Sequence, residues 1–445
     1  MFINFVWHFH QPIYRHPDSG EYLLPWVNYH TTKNYWQMLK IIKEMEFPCT
    51  INLVPSLLQQ MNDYAEGKAL DKIQLALEKP AEKLNSEELT ILKRFFPKFS
   101  KEDSPQKLQQ IILAQFFSPL DQPEIKSQSE LLALRKKIFS TIFGYFRQLK
   151  IDQLLELTVS PYYHPLLPLI IDLGQAKDEA PDLPEFQYPQ DAQWQLKQAR
   201  EYFKKIFNFY PPGLWPSEGA CSQAACELIA KSGFSFTFTD EHLLWKSLDQ
   251  RPDFKLLYRP YKCAGVNIFF RDRELSDLIG FEYHRWPAEQ AVTDFLRKLE
   301  IRAEKVSEEA ICSIILDGEN PWGAYPQNGI DFLRLLLEKI KENKHFQPVL
   351  PSVYLKNYQA EESVKLVAGT WMSGFFKWVG HPEKVAAWKR LSEVRKNSSF
   401  SNFLAVAEGS DWFWWAGETE EKEFNVLFWA YLEKAQKLEN NYEKT

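Results

Sequence analysis

A single stretch, Ile311-Cys312-Ser313-Ile314-Ile315-Leu316-Asp317-Gly318-Glu319-Asn320, shows the pattern on which the fold of this chain rests. Its apolar half predicts a buried strand, and its polar half follows where that strand ends. Six other short runs, each also ending in polar or ionisable residues, cover Phe2–Trp7, Cys49–Leu53, Leu155–Val159, Gly213–Trp215, Phe234–Phe238 and Val266–Phe270. Helix-length segments separate them. The sequence therefore predicts an α/β fold, a distorted seven-stranded parallel (β/α)7 barrel resembling a TIM barrel, with its site at the carboxyl ends of the strands.

Two parts of the chain depart from this alternation. Residues from about 57 to 150 carry helical periodicity, as in Ser86–Leu92, and predict a helical insertion. After about residue 345 the strand pattern disappears, and the amphipathic stretches Lys384–Lys396 and Glu423–Asn440 predict helices. We therefore expect a catalytic barrel over 1–345, with the insertion at about 57–150, and a C-terminal helical domain over 346–445 that contributes to the substrate cleft.

Composition excludes several classes of partner. With 445 residues, 45% hydrophobic and 25% charged, the chain is typical of a globular protein with a large core. The net charge of -6 favours neither a nucleic-acid surface nor a basic membrane patch. Five scattered cysteines without a CxxC pair, and an N-terminus without signal-peptide features, predict a cytoplasmic protein. The oligomeric state is not predicted.

Aromatic residues are abundant, with 15 Trp, 19 Tyr and 33 Phe. Tryptophan is often a core anchor, but its flat face also suits the stacking of sugar rings. Composition alone leaves both interpretations open.

Two histidines, His8 and His10, lie one residue apart at the end of the first predicted strand, so both imidazoles lie on one strand face. They could hold a metal, form hydrogen bonds to one ligand, or be structural. A metal site would require further ligands, but the later strands end in Glu218, Asp272 and Asp317 without another histidine. We expect substrate hydrogen bonding and no metal or cofactor, with a metal-dependent hydrolase using His8 and His10 as an alternative.

The two strongest catalytic candidates are carboxylates. Glu218 ends a very short strand after Trp215-Pro216-Ser217, and Asp317 follows the most apolar run in the chain. A carboxyl in apolar surroundings has a raised pKa, as a general acid requires, whereas a nucleophile must be ionised. Glu218 could instead be a surface loop charge, and Asp317 a helix cap. Opposed across a barrel mouth, however, two carboxylates are what glycosidic bond cleavage requires.

The chain resembles glycoside hydrolase family 57 over nearly its whole length. Five short motifs carry the resemblance, in family order: His10-Gln11-Pro12; Glu156 followed by Ser160-Pro161-Tyr162-Tyr163-His164-Pro165; Trp215-Pro216-Ser217-Glu218; Leu316-Asp317-Gly318-Glu319-Asn320-Pro321-Trp322; and Gly369-Thr370-Trp371 through Trp378-Val379-Gly380-His381-Pro382 and Trp388. Ser160–Pro165 and Ser410–Trp415 are most similar to the amylase and amylopullulanase branch.

The resemblance implies a retaining hydrolase that cleaves α-1,4 bonds, and by extension α-1,6 bonds, in α-glucans or maltooligosaccharides. Glu218 would be the nucleophile and Asp317 the general acid/base. The motifs and strand ends together predict these substrate-binding residues: His8, His10, Gln11, Trp215, Tyr163, His164, Asp240, Asp272, Glu319, Trp322, Trp371 and Trp378. A 4-α-glucanotransferase or branching enzyme with the same catalytic residues is the alternative, and an inactive glucan-binding protein is a more distant one.

Three residues depart from the family pattern. Gln153 stands where a glycine often precedes the glutamate of the second motif, which weakens the expected role of Glu156. Ser373 lies near a position where some members carry a substrate-binding acid, and Arg273 replaces a frequent histidine. These changes could alter linkage preference or product length without affecting the two carboxylates.

Overall fold

The computed structural model describes residues 1–95, 104–121, 127–418 and 422–442. Its strands are β1 (Phe2–Phe9), β2 (Glu21–Tyr22), β3 (Cys49–Leu53), β4 (Leu70–Asp71), β5 (Leu155–Val159), β6 (Gly213–Leu214), β7 (Phe236–Asp240), β8 (Tyr261–Cys263), β9 (Val266–Arg271), β10 (Ile311–Asp317) and β11 (Gln347–Pro348).

The α-helices of the first part of the chain are α1 (Trp26–His30), α2 (Trp36–Met45), α3 (Pro55–Ala65), α4 (Lys72–Glu78), α5 (Ser86–Phe95), α6 (Pro105–Gln115), α7 (Gln128–Ile151), α8 (Leu167–Ile171), α9 (Pro189–Phe207) and α10 (Gln223–Lys231). They are followed by α11 (Glu241–Leu248), α12 (Phe254–Leu257), α13 (Arg273–Asp277), α14 (Ala288–Ala303), α15 (Ile330–Glu342), α16 (Pro351–Asn357), α17 (Phe376–Val379), α18 (Pro382–Asn397), α19 (Asn402–Ala407), α20 (Ser410–Trp415) and α21 (Lys422–Tyr442).

Seven parallel strands form a closed barrel in the order β1, β3, β5, β6, β7, β9 and β10. The barrel closes where β10 pairs with β1 over seven residues and with β9 at Ser313 and Arg271. Residues of β3, β5, β7 and β9 are buried along their whole length, because helices cover the outside of the sheet and side chains fill its inside. The predicted distorted seven-stranded barrel is confirmed.

Strand boundaries differ from the prediction at two places. The strand before Glu218 contains only Gly213 and Leu214, and a Cβ at Gly213 would lie 2.1 Å from the ring of Phe236, so close packing requires glycine there. The predicted Phe234–Phe238 strand begins at Phe236 and ends at Asp240. Each of the seven predicted runs nevertheless contains a barrel strand.

The strand pattern does not stop at residue 345 as expected. The short strand β11 adds to β1, and the Gln347 amide donates to the carbonyl of Met1 over 3.1 Å. Two residues are too few to give a periodic signal, which is why the sequence did not show this strand. The division at 345 and 346 stays a prediction.

The insertion is helical, with α4, α5, α6 and α7 crossing the region from about 57 to 150. It has its own small core, in which Ile73, Leu77, Leu92, Phe117 and Ile138 are buried. Helix α7 begins with a capping box, in which Ser127 and Glu130 satisfy each other's backbone N–H groups.

The C-terminal helices dock on helix α9 through buried polar contacts. Arg395 donates two hydrogen bonds, of 2.7 and 3.1 Å, to the carboxylate of Asp191. Gln195 donates to the carbonyl of Ala405 and to the carboxylate of Glu408. These contacts place the segment that follows Glu408 against the carboxyl end of the barrel.

Among the helices that the structure describes, none combines the length and the apolar character needed to cross a bilayer.

The ion pair between Asp191 and Arg395 should contribute strongly to stability. Asp191 is 1% exposed, so Arg395→Met leaves a buried charge without its partner and should lower the free energy of unfolding by about 3 kcal/mol. Urea denaturation would measure the loss. Arg390→Met on the same helix is the matched control, because Arg390 pairs with the exposed Glu393, and it should change stability by about 0.5 kcal/mol or less. Equal effects of the two substitutions would contradict this role.

Candidate active site

Three imidazole rings lie against one another at the carboxyl end of the barrel. The ring of His164 is 3.8 Å from that of His10 and 5.1 Å from that of His8, centroid to centroid, at angles below 25°. His8 lies on β1 and His10 directly follows it, at the end of the first strand as predicted, and His164 lies in the loop after β5. We call these three residues the histidine stack.

Two members of the stack are neutral. Burial, and then the charge of His10, lower the pKa of His8 to about 3. Burial also lowers the pKa of His164 well below its usual value. The Nδ1 of His8 lies 2.7 Å from the Oδ1 of Asn52, an acceptor, so Nδ1 carries the proton and Nε2 is left as an acceptor. The stack therefore offers neutral hydrogen-bonding groups.

Glu218 is held in a strained turn after β6. Its φ of 58° lies in the left-handed region, which non-glycine residues rarely adopt. The Trp371 amide donates to the carbonyl of Glu218 over 3.0 Å and the Ser410 hydroxyl to its Oε1 over 3.3 Å. The Ser410 hydroxyl oxygen also lies 3.1 Å from the Nδ1 of His164. Because the only hydroxyl proton of Ser410 is donated to Glu218, the Nδ1–H of His164 is the donor in this second hydrogen bond. The side chain of Glu218 is 12% exposed, so one edge remains open.

Asp317 ends β10, in register with His8 on the neighbouring strand. The Gly318 amide donates to the carbonyl of His8 over 2.8 Å, which fixes this strand end beside the histidine stack. The side-chain amide of Asn320 donates to the Asp317 carboxyl over 2.8 Å. The carboxyl therefore has one fixed hydrogen bond and lies at the mouth of the barrel.

Burial raises the pKa of both carboxyls. For Asp317 the pKa is raised by burial and partly lowered again by Asn320, His10 and Arg271. For Glu218 burial raises the pKa well above its usual value, and the charges of Asp411 and Asp317 raise it further. The raised pKa of Asp317 agrees with the prediction. An ionised Glu218 was expected, and its raised pKa differs from that expectation because the carboxyl is buried and two other acids face it.

Asp411 is the main residue that sequence reasoning missed. Its carboxylate lies 2.9 and 3.0 Å from the Nε2 of His10, across 401 residues of chain. The stretch Ser410–Trp415 carried part of the resemblance, yet Ser410 and Asp411 were not among the predicted site residues. The adjacent Ser410 and Asp411, which directly precede the aromatic residues Trp412–Trp415, were the sequence feature that could have identified this part of the site.

Potential metal ligands occur in this cluster, but they are not the predicted pair. His10, His164 and Asp411 bring possible ligand atoms within 4.8 Å of one another. A ring nitrogen binds a metal in the plane of its ring, whereas the rings of His10 and His164 lie face to face. His8 uses Nδ1 for Asn52. This arrangement suits hydrogen bonding better than metal coordination.

Gln11 and Glu319 lie behind His10. The Glu319 carboxyl accepts from the amide of His10 and from the side chain of Gln11, each over 3.4 Å. Burial, and then the charge of Asp317, raise the pKa of Glu319 well above its usual value. Both predicted residues are thus part of the cluster, with Glu319 supporting His10 from its buried side.

Two predicted tryptophans flank the site. Trp215 is fully buried and packs against Trp371, with centroids 5.6 Å apart, and against His8 at 6.3 Å. Trp371 is half-buried, and the Arg271 guanidinium lies 5.6 Å from its ring centroid. Of these two rings, only that of Trp371 is open to a ligand.

The structure does not bring four other predicted residues to the cleft surface. Trp322 and Trp378 are fully buried, because Trp322 packs against Trp7 and Trp378 against Trp414. Asp240 and Asp272 are also buried: they cap helices α11 and α13 and pair with Arg271 and Arg302. The ring of Tyr163 faces helix α9, where Trp194 lies.

The three departures have structural explanations. Gln153 has a φ of 60°, which explains why a glycine suits this position. Glu156 on β5 accepts hydrogen bonds from the amide and hydroxyl of Ser352, at the start of helix α16. The Arg273 guanidinium donates to the Ser373 hydroxyl over 3.4 Å, so these two departures from the family pattern lie at the same position in the structure.

Comparisons with known proteins give one family match and several solved structures with the same fold. Residues 4–367 match the family model described as Glycosyl hydrolase family 57. No curated protein matches the sequence. Among solved structures, a GH57 branching enzyme from Thermococcus kodakaraensis is 18% identical with a TM-score of 0.67, covering 97% of this chain and 88% of its own. The α-amylase AmyC from Thermotoga maritima is 17% identical with a TM-score of 0.66, covering 99% and 93%.

A 4-α-glucanotransferase from Thermococcus litoralis is 15% identical with a TM-score of 0.62, covering 98% of this chain and 60% of its own. At these identities the solved structures show that the fold is shared.

Two substitutions in neighbouring residues should move the pKa of Glu218 in opposite directions. Asp411→Asn removes a negative charge that raises this pKa, so the pKa should fall. Ser410→Ala removes a hydrogen bond that lowers it, so the pKa should rise. Carbon-13 NMR titration of glutamate-labelled protein would measure both, with Glu218→Gln identifying the resonance. Shifts in the same direction would contradict the described electrostatics.

Proposed function

Since this chain belongs to glycosyl hydrolase family 57, we propose that it is a retaining hydrolase of α-1,4 glucosidic bonds, and by extension of α-1,6 bonds, in α-glucans or maltooligosaccharides. Its membership makes it a glycoside hydrolase-type enzyme with a carbohydrate substrate. The observation that carries the proposal is that Glu218 and Asp317 both follow barrel strands at the carboxyl end of the barrel, near enough for the charge of Asp317 to act on Glu218. Glu218 is the nucleophile and Asp317 the general acid/base.

The charges around Glu218 suit this chemistry. Burial, and then the charges of Asp411 and Asp317, raise the pKa of Glu218, so this carboxyl keeps its proton at a pH where an isolated glutamate would be ionised. As the glycosidic bond breaks, positive charge develops at the anomeric carbon and favours the ionised form of Glu218. The same charge is stabilised by the surrounding acids. The site is therefore suited to an oxocarbenium-like transition state.

Asp317 then serves both steps. It protonates the leaving oxygen in the first step, when Glu218 forms the glucosyl ester, and removes a proton from water in the second. Its raised pKa supports the first role. Loss of the charge on Glu218 in the ester lowers the pKa of Asp317, which supports the second.

The two neutral members of the histidine stack, His8 and His164, are suited to hold the sugar. The unprotonated Nε2 of His8 can accept from a hydroxyl, and Trp371 offers an aromatic face for stacking. A sugar hydroxyl can both donate and accept a hydrogen bond, and a neutral imidazole offers one donor and one acceptor, which the lowered pKa values of His8 and His164 maintain.

We assign residues 346–445 a direct part in the cleft. Trp371, Ser410 and Asp411 all lie in this region, and Ser410 and Asp411 contact Glu218 and His10. A barrel without this region would lack the hydroxyl that donates to the nucleophile. The C-terminal region is thus proposed to complete the site.

A 4-α-glucanotransferase or a branching enzyme would use the same carboxylates, and both activities occur among proteins of the same fold. The difference lies in whether water or a sugar hydroxyl attacks the glucosyl ester. Chromatography of products from maltotriose through maltoheptaose distinguishes the two, since products longer than the starting sugar indicate transfer. A chelator that abolishes activity would instead favour metal-dependent hydrolysis.

Replacing the nucleophile should abolish turnover without removing the cleft. Glu218→Gln keeps the size of the side chain, so kcat should fall at least about a thousandfold while maltoheptaose still binds by calorimetry. Glu289→Gln, at an exposed position on helix α14, is the matched control and should leave kcat unchanged. Glu218 is not the nucleophile if the variant retains more than a few per cent of the wild-type rate.

Retention of configuration follows from direct attack by Glu218. No water then lies between nucleophile and sugar, so the two carboxyls should be about 5–5.5 Å apart in the substrate complex. Proton NMR of early hydrolysis should show the α-anomer appearing first. The β-anomer appearing first would establish inversion and require a different role for Glu218.

A further inference from the structure

A second concave surface lies on the outside of the loop that carries His164. It is a cavity of about 240 Å³ whose aromatic walls are Tyr162, Tyr163, Trp194 and Tyr202, with the amides of Gln198 and Asn402 at its edge. We call it the aromatic groove. Five of its lining residues lie on helix α9, and Asn402 begins helix α19, so the groove lies where the C-terminal helices meet the barrel.

The rings form a supported platform. Tyr163 and Trp194 are nearly parallel, with an angle of 17° between their planes and 6.4 Å between centroids. Phe400 packs edge-on against Trp194 at 5.2 Å and fixes its orientation. Both rings are half-buried. Flat aromatic faces held in this way suit the apolar faces of sugar rings.

The polar groups of the groove favour a neutral ligand. Glu201 and Lys205 both line it, so their opposite charges offset each other. Gln198 and Asn402 can each donate and accept hydrogen bonds, as sugar hydroxyls require. A phosphate or an acidic peptide would need an excess of positive charge, which this surface does not offer.

The groove is physically continuous with the catalytic loop. Tyr163 faces the groove, and the next residue, His164, joins the histidine stack. His164 has a φ of 59°, and its carbonyl accepts from the amide of Ser410 over 2.9 Å. The reversal of the chain at this residue thus presents consecutive side chains to two separate surfaces.

We propose that the aromatic groove is a second binding site for the α-glucan, outside the catalytic cleft, which holds a distant part of the same polymer during cleavage. This inference rests on the proposed function. Long glucans reach both surfaces, whereas maltotriose is held by the catalytic cleft. Loss of the groove therefore weakens the action on polymers and spares the action on short substrates.

The test combines binding and kinetics. Native gels containing amylopectin would measure retardation of Glu218→Gln, which leaves the polymer intact, with and without Trp194→Ala. Trp194→Ala should weaken the apparent affinity about fivefold, the order of effect of removing one aromatic contact. Trp429→Ala is the matched control, because Trp429 is 41% exposed on helix α21, away from the groove.

In the active enzyme, Trp194→Ala should raise KM for amylopectin about fivefold and leave kcat/KM for maltotriose within twofold.

A second variant guards against a folding defect, since Trp194 also packs against Phe400. Gln198→Arg places a longer side chain in the groove at a helical position that tolerates arginine, and it should produce the same loss. Unchanged retardation in both variants would overturn the inference. If the wild type does not cleave α-glucans but retardation still depends on Trp194, the groove stands and the proposed function fails. If neither cleavage nor retardation occurs, both are overturned.

Discussion

Repulsion among three acids is the constraint around which the site is organised. Glu218 and Asp411 are only 12% and 13% exposed, and the charges of Asp411 and Asp317 act directly on Glu218. Poorly solvated carboxylates resist simultaneous ionisation, so the site requires groups that stabilise negative charge. Ser410 donates to Glu218, Asn320 donates to Asp317, and His10 pairs with Asp411. Each acid thus has one dedicated partner.

One of those partners, Ser410, and one of the acids, Asp411, come from the C-terminal helices, so the docking of these helices and the chemistry of the site depend on each other. Gly409 forms a bridge with Pro165, and a Cβ at Gly409 would lie 2.8 Å from the carbonyl oxygen of Tyr163. This close approach places Ser410 beside Glu218. The ion pair between Asp191 and Arg395 attaches the C-terminal helices to helix α9 at a second point, farther from the site. Loss of docking would therefore leave Glu218 without Ser410 and His10 without Asp411.

Backbone strain also occurs around this site. His164, Glu218 and Ser373 all have positive φ, at 59°, 58° and 78°. Such conformations cost about 1–3 kcal/mol each and persist where surrounding contacts enforce them. The hydrogen bonds from Ser410 to the His164 carbonyl and from Trp371 to the Glu218 carbonyl provide that enforcement. The strained backbone gives these side chains directions that a regular strand would not give them.

The sequence by itself determined the barrel and the positions of Glu218 and Asp317 at the ends of its strands. Barrel strands are buried on both faces, so they appear as short apolar runs, and the residue that ends each run must lie at the rim, as Asp317 does. Contacts between distant parts of the chain leave no such local pattern. Glu218 and Ser410 are 192 positions apart, and His10 and Asp411 are 401 positions apart. Only the tertiary structure brought them together. It likewise decided that Trp371 is open to the cleft while Trp322 and Trp378 are buried, because the exposure of an aromatic ring depends on which distant segments pack against it.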